Sequence, residues 1–352
     1  MRVIQGGGSL RWENADPRNG GQPDLSERQE LGGILEEIHG DVYRDNCRDA
    51  SRLPTTLRER LDGPNKLCAM TPGEHVPFPR ALDWSQLPEE HVAAFERDGA
   101  VCLRQLINPE EVELLRCGIE SNLRHLSPRA KIASRPEDPG RFVEDFCCWQ
   151  ENEYYRRFIF GSPVGAVAGL LMQSNTVRLY HDHMLTKEPA TRQRTPWHQD
   201  QPYYNIHGRM NCSMWISVDP VGRDSTLEFI AGSHKGPWLM PRSFMSNEAK
   251  WFPEGDLANL PDIEAAREDY PILGWEVEPG DVVCFHMLTL HASAGVPGTG
   301  PRRVFSVRFL GDDITHAPRR WATSPEFPGL TDDLPPGAPM DHPLFPVMWK
   351  RS

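Results

Sequence analysis

No run of about 18 apolar residues occurs anywhere in these 352 residues, so no membrane-spanning helix is expected. Positive charge is also scarce. Lys and Arg number 38 against 50 Asp and Glu, a net charge of −12 with a pI near 5.6. That balance excludes bulk nucleic-acid or anionic-membrane binding and leaves room only for a local basic patch. Residues Met1 to Asn14 are Gly-rich and polar with no apolar centre, so no secretory leader is expected. No Cys-x-x-Cys pair is present either. Cysteines stand at 47, 68, 102, 117, 147, 148, 212 and 284, and the adjacent Cys147-Cys148 suit neither a simple bridge nor a zinc site. Without a leader they read as reduced, mostly core thiols, and the expected compartment is the cytoplasm. Internal repeats and low-complexity stretches are absent as well.

What is present suits an ordinary globular protein: 38% hydrophobic and 25% charged residues, in a chain long enough for one large domain or two small ones. Residues 1–84 read as a partly irregular extension rich in Gly, Pro, Arg and Asp, with one helix expected over Leu25–His39. Residues 85–315 carry the regular patterns, and 316–352 form a proline-rich tail expected to pack on that domain. Leu87-Pro88-Glu89-Glu90 opens a short helix that closes at Asp98-Gly99, and a strand follows over Ala100–Leu103. Asn108-Pro109-Glu110-Glu111 has the N-cap, first-turn proline and carboxylates of a helix start, with Val112, Leu115 and Ile119 at helical spacing. Leu170-Leu171 ends a further apolar helical stretch before Asn175.

From Thr176 the pattern changes to short strands separated by Gly, Pro and Asp. The candidates are 176–186, 212–218, 226–230, 281–285, 289–292 and 303–310. Many short strands with turn signals indicate an all-β sandwich or barrel, here a jelly roll flanked by helices.

The chemistry-bearing stretch is Thr195-Pro196-Trp197-His198-Gln199-Asp200-Gln201-Pro202-Tyr203-Tyr204. On a strand, residues two apart share a face, so His198 and Asp200 can offer a nitrogen and a carboxylate oxygen to one ion. A third ligand must come from elsewhere. The best placed is His291, at the end of the run that starts at Gly280-Asp281, with His286 and His234 as rivals. Two histidines and one carboxylate on one face of an octahedral ion make the facial triad of non-haem Fe(II) oxygenases. A second pair, His181 and His183, would suit zinc on its own.

Taken together, His198-Gln199-Asp200, Trp215, Ala231-Gly232-Ser233-His234-Lys235-Gly236 and Gly280-Asp281 through His291 resemble the phytanoyl-CoA dioxygenase family. The similarity covers roughly residues 85–312, including a helix–strand–helix over Leu87–Leu115. It implies a double-stranded β-helix, a cupin-like jelly roll, and an enzyme that uses Fe(II), 2-oxoglutarate and O2. It also selects His291 over His286 as the third ligand. Asp224-Ser225 departs from the Asn-Gly found in many members, a difference expected to touch only a turn.

The resemblance further implies a co-substrate site. Arg302, eleven residues past His291, would hold the far carboxylate of 2-oxoglutarate, and Ser293 would help it. A guanidinium fork suits a carboxylate, and Arg303 would point the other way on a strand. Met184 and Trp215 are implied to line the cavity, and Tyr204 to wall the substrate. If Met184 faces inward, strand alternation brings Asp182 with it and turns His181 and His183 away. Arg308, six residues beyond Arg302, shares that arginine's face. Asp182 and Arg308 would then favour a polar or zwitterionic substrate.

The reading is a dioxygenase that hydroxylates an unactivated C–H bond of a small organic molecule and releases succinate and CO2. The family chemistry implies that a halogenase would carry a small residue in place of Asp200. The alternative is a non-redox metal-dependent cupin-like isomerase or hydrolase, which would need no dicarboxylate anchor. No nucleic-acid or membrane partner is expected, and the oligomeric state is left open.

Overall fold

The computed structural model of the chain describes residues 2–6, 9–13, 87–241, 257–298 and 300–351. The helix expected over Leu25–His39, with nearly all of the extension, lies outside the described residues. The chain divides into two units, residues 1–2 with 13–70 and residues 3–12 with 71–352, and the second is described below. At the start of the sequence β1 (Arg2–Gly6) and β2 (Ser9–Glu13) pair with each other.

The opening helix α1 (Glu89–Asp98) ends at Gly99, whose φ of 78° is left-handed, and β3 (Ala100–Leu103) follows. In α2 (Pro109–Arg124) the Asn108 side chain accepts from the Glu111 amide. The Glu111 carboxylate in turn accepts from the Asn108 amide, each at 2.9 Å. This reciprocal cap satisfies two otherwise orphaned donors. Val112, Leu115 and Ile119 are buried along one stripe, as their spacing predicts. The chain continues through β4 (Lys131–Ile132), β5 (Phe142–Phe146), α3 (Glu153–Gly161) and α4 (Val164–Met172). All five residues of β5 are buried, Glu144 and Asp145 included, so it shows none of the polar alternation that would mark a strand.

The strands that follow are β6 (Thr176–Lys187), β7 (Thr195–His198), β8 (Ile206–His207), β9 (Asn211–Ser217) and β10 (Leu227–Ile230). After them come β11 (Ile272–Leu273), β12 (Val282–Phe285), β13 (His291–Ser293), β14 (Arg302–Leu310) and β15 (Thr315–His316). A short α5 (Leu330–Asp333) and β16 (Val347–Lys350) close the chain. The major sheet runs β3-β12-β9-β14-β6-β5-β4, with β16 also on β6, and the minor sheet runs β11-β10-β13-β7. Two antiparallel sheets facing each other form the jelly roll expected from the short-strand pattern. The Gly280-Asp281 turn is structural. Gly280 has φ of 105°, and Asp281 accepts from the Gln105 amide at 2.9 Å and from Arg104 at 2.6 Å, tying β12 to the loop after β3.

Register decides which side chains face inward. β14 pairs with β6 as Arg302↔Lys187, Val304↔Leu185, Ser306↔His183 and Arg308↔His181. Phe305, Val307 and Phe309 lie in one apolar layer with Val177, Leu179 and Met184 of β6, Cys212, Met214 and Ile216 of β9, and the helices α2 to α4. On the opposite face Val304 and Trp215 pack against Leu227 and Phe229 of the minor sheet. Arg302, Ser306 and Arg308 therefore share the inner face with Lys187, His183 and His181. Met184 and Asp182 sit on the outer face, the reverse of the placement expected for them.

The tail packs Leu330, Leu334, Met340 and Phe345 on Tyr180, Tyr204 and Ile314. Cys102, Cys147, Cys148, Cys212 and Cys284 are free thiols. Cys117 is disulfide-bonded, against the expectation of reduced thiols throughout. Among the described residues no helix is long and apolar enough to cross a membrane.

Candidate active site

His198 ends β7 and His291 begins β13, and the two are paired across the minor sheet with ring centroids 4.1 Å apart. Asp200 reaches them in an unexpected way. The strand stops at His198, and Asp200 has helical φ and ψ of −73° and −46° at the head of a short 3-10 turn. The Asp200 and Gln201 amides both donate to the Met287 carbonyl, at 2.8 and 2.9 Å. That clamp, rather than strand alternation, presents the carboxylate. Oδ1 of Asp200 lies 3.5 Å from His198 Nε2 and 3.7 Å from His291 Nε2. One ligand atom from each of the three buried residues lies within 4.8 Å of the others.

The donor set fits a divalent metal in its hydrogen bonding as well. His198 Nδ1 lies 2.8 Å from the Pro196 carbonyl, and His291 Nδ1 lies 2.9 Å from the Thr289 carbonyl. A carbonyl only accepts, so each Nδ1 carries the proton and each Nε2 turns its lone pair to the shared centre. Burial pushes the His291 imidazole down to about 3, which keeps it in the ligating neutral form. The second carboxylate oxygen of Asp200 accepts from Arg308 Nη2 and Ser213 Oγ, both at 3.3 Å. Burial alone would raise this carboxyl, but Arg308 and the two histidines hold it well below the usual carboxylate range. Arg308 Nε also donates to the Tyr204 hydroxyl at 3.0 Å, which places Tyr204 beside the triad. Arg308 thus holds the Asp200 carboxylate in place, a contact the expectation of a substrate-binding role did not include.

The fit to a dicarboxylate rests on Arg302. Its guanidinium is buried, donates to the Ser225 carbonyl and to Ser293 Oγ at 3.4 Å, and stands 5.8 Å above the Trp215 ring. Among the described residues Nε has no partner, and none of the guanidinium's bonds goes to a carboxylate. Desolvation lowers its pKa to about 10. A buried cation without a counter-anion is costly unless an anion joins it. The Asp224-Ser225 turn, expected to be remote from the chemistry, supplies one carbonyl to this arginine. Arg303 points outward and pairs with Asp219 at 2.7 Å.

Sequence reasoning missed Lys187, opposite Arg302 across the sheet. Its ammonium is fully buried and donates to the Gln193 and Ala294 carbonyls and to Ser293 Oγ, at 2.8, 3.0 and 3.4 Å. Its signal was a lysine closing a long strand, legible only once the register is known. Asp182 does not line the cavity. Its carboxylate accepts from the Cys148 and Trp149 amides at 3.0 and 3.1 Å and braces the loop before α3. Met184 lies in the outer apolar layer, in contact with Thr186 Oγ1 at 3.1 Å. His286 is no ligand, because the Arg209 carbonyl and the Leu288 amide occupy both its nitrogens. His234 sits in a 3-10 turn with Nε2 at 3.2 Å from the Glu96 carbonyl.

A jelly roll that gathers two histidines and an aspartate, with a buried arginine that meets no carboxylate among the described residues, defines an Fe(II)- and 2-oxoglutarate-dependent oxygenase. Residues 95–304 match the model of the phytanoyl-CoA dioxygenase (PhyH) family, more than half of the chain, and the chain belongs to that family. It is an enzyme whose cofactors are iron, 2-oxoglutarate and O2. The chain is 24% identical to mouse peroxisomal phytanoyl-CoA dioxygenase over 299 residues, 80% of this chain and 83% of the relative. Ectoine dioxygenase of Stutzerimonas stutzeri is 23% identical over 249 residues, 67% and 82% of the two chains. The epimerase SnoN, solved with Fe3+, α-ketoglutarate and nogalamycin RO, shares the fold at a TM-score of 0.60 and 20% identity, covering 74% of this chain and 98% of its own.

Proposed function

We propose that the enzyme hydroxylates an unactivated C–H bond of a small organic molecule. In this reading His198, Asp200 and His291 hold the iron, and Arg302, Ser293 and Trp215 hold 2-oxoglutarate. One observation carries it: an intact triad carboxylate beside a buried arginine whose bonds reach no acid. When bound, the iron and 2-oxoglutarate supply the oxidising chemistry, with decarboxylation of the oxo acid to succinate and CO2. The protein's part is positioning. The Pro196 and Thr289 carbonyls fix the tautomers of the two histidines. Arg308 and Ser213 occupy one oxygen of Asp200 and leave the other to the metal. Arg302 sets the distance at which a far carboxylate stops, and Ser293 adds a hydroxyl beside it. Trp215 and Tyr204, both buried, exclude water from the space between.

Anaerobic Fe(II) with 2-oxoglutarate is expected to give a visible charge-transfer band, and O2 to yield succinate. His198→Ala and Asp200→Ala protein should lose both along with most of the iron. A full band and iron content in either variant would sink the assignment. The second reading, a non-redox cupin-like isomerase or hydrolase, leaves the uncompensated Arg302 unexplained, and stoichiometric succinate release separates the two. The acidic balance of −12 supports a small-molecule substrate over nucleic acid.

A further inference from the structure

Among the described residues, and besides Arg302 Nε, four buried side-chain atoms on the inner face of the major sheet have no hydrogen-bond partner: Glu144 Oε1, His181 Nε2, His183 Nε2 and Arg308 Nη1. Their residues are all more than nine-tenths buried, at 4, 1, 6 and 5% exposure. Register puts them in one row. Glu144 stands on β5 opposite Leu185, His183 faces Ser306, and His181 faces Arg308, so the row crosses three neighbouring strands. It ends at the triad, because Arg308 Nη2 is 3.3 Å from Asp200.

Leaving a buried donor or acceptor unmet costs a folded chain stability, and folded proteins keep few such groups without a reason. Here four stand together beside a metal centre. Within the row, His183 Nε2 and Glu144 Oε1 stand 3.3 Å apart, an ion-pair distance without hydrogen-bond alignment. A second metal is not the explanation, since among the described residues only His198, Asp200 and His291 converge as ligands.

The hydrogen-bonding character of the row narrows what meets it. His181 Nδ1 lies 3.2 Å from the Asp182 carbonyl, so the proton is on Nδ1 and Nε2 is an acceptor. Arg308 Nη1 is a donor and Glu144 Oε1 an acceptor. The acceptor His181 Nε2 and the donor Arg308 Nη1 belong to direct cross-strand neighbours. A hydroxyl group both donates and accepts, so one hydroxyl satisfies such a pair. The charge of Arg308 is already matched by Asp200, so the Arg308 end of the row calls for no anionic group.

We propose that this row binds hydroxyl groups of the substrate, which makes the substrate a neutral polyhydroxylated molecule rather than an alkyl chain. The inference rests on the reading of the triad as an iron oxygenase centre. Tyr204, whose ring stands edge-on to His181 at 5.2 Å, borders the row. His181, His183 and Glu144 then act as specificity residues.

The test uses the full chain loaded with Fe(II) and 2-oxoglutarate, and two probes that differ in hydroxyls: methyl β-D-glucopyranoside and methoxycyclohexane. The glucoside is expected to accelerate succinate formation over methoxycyclohexane by roughly tenfold, equivalent to about 1.4 kcal/mol. His181→Leu should abolish that preference while the charge-transfer band and iron content stay unchanged. Should His181→Leu fail to fold, His181→Gln, which keeps an acceptor, is expected to preserve the preference, and His183→Leu to reduce it. A response to methoxycyclohexane equal to or above that of the glucoside, a response to neither, or an undiminished preference in the leucine variants overturns the proposal. Absence of the band in the wild-type protein would instead overturn the parent reading, so the two failures are distinct.

Discussion

Arg302 and Arg303 are chain neighbours with opposite surroundings. Arg303 faces outward to Asp219 and Glu120, whereas Arg302 is sealed between Trp215, Ser293 and the Ser225 carbonyl. Their substitutions should separate cleanly. Arg302→Gln removes the cation from a buried carboxylate, a loss on the order of 3–5 kcal/mol in 2-oxoglutarate binding, with iron binding retained. Arg303→Gln should leave co-substrate affinity unchanged and lower thermal stability slightly through loss of the Asp219 pair. Titration of the charge-transfer band with 2-oxoglutarate reads the first effect and a thermal melt the second. A larger affinity loss in Arg303→Gln would mean that the register of β14 is displaced by one residue.

At the scale of the element, β6 is where alternation was read with the wrong phase. The strand is buried on both faces from Val177 to Lys187 almost without a break, so polarity does not reveal which face looks inward. Pairing with β14 reveals it: the partners of Arg302 and Arg308 are Lys187 and His181. Asp182 therefore serves the outer loop, where it accepts the Cys148 and Trp149 amides. Asp182→Ala should strand those two donors and cost about 1–3 kcal/mol for each in stability. The Fe(II)–2-oxoglutarate band should be untouched. A changed band with an unchanged melting temperature would return Asp182 to the cavity.

For the whole molecule, a pH dependence follows from histidines buried in neutral form away from the metal centre. Burial, with help from nearby His234, lowers His286 to about 3, and both its nitrogens are bonded to backbone. Its folded value lies below the unfolded value of about 6.5, so the unfolded chain binds the extra proton between the two. Stability is thus fully present above about pH 6.5 and falls as the solution is acidified below it, by about 1.4 kcal/mol per pH unit from this group. Thermal melts of His286→Gln between about pH 7 and about pH 5 should show a shallower fall than wild type. An equal slope would mean that His286 is not held neutral by the fold.

Local patterns were enough for much of this protein. The Asn108 cap and the Val112, Leu115 and Ile119 stripe made α2 legible, and turn residues marked β6, β9, β10, β12, β13 and β14 to within a residue or two, while β5 and the short β4, β11 and β16 went unmarked. His198 and Asp200 stood out by their two-residue spacing, and the family resemblance pointed to His291, Arg302 and Ser293; the fold brings His198, Asp200 and His291 together and sets Ser293 against Arg302. The local patterns depend on neighbours a few residues away. What required the tertiary structure depends on partners distant in the chain. The clamp of Asp200 on the Met287 carbonyl, the hold of Arg308 on Asp200, the burial of Lys187 beside Arg302, and the inward turn of His181 and His183 all follow from strand pairing and facing sheets. The physical reason is the two-residue period of a strand. A sequence shows that side chains alternate, but where both faces are buried only the neighbouring strand determines which set meets the active site.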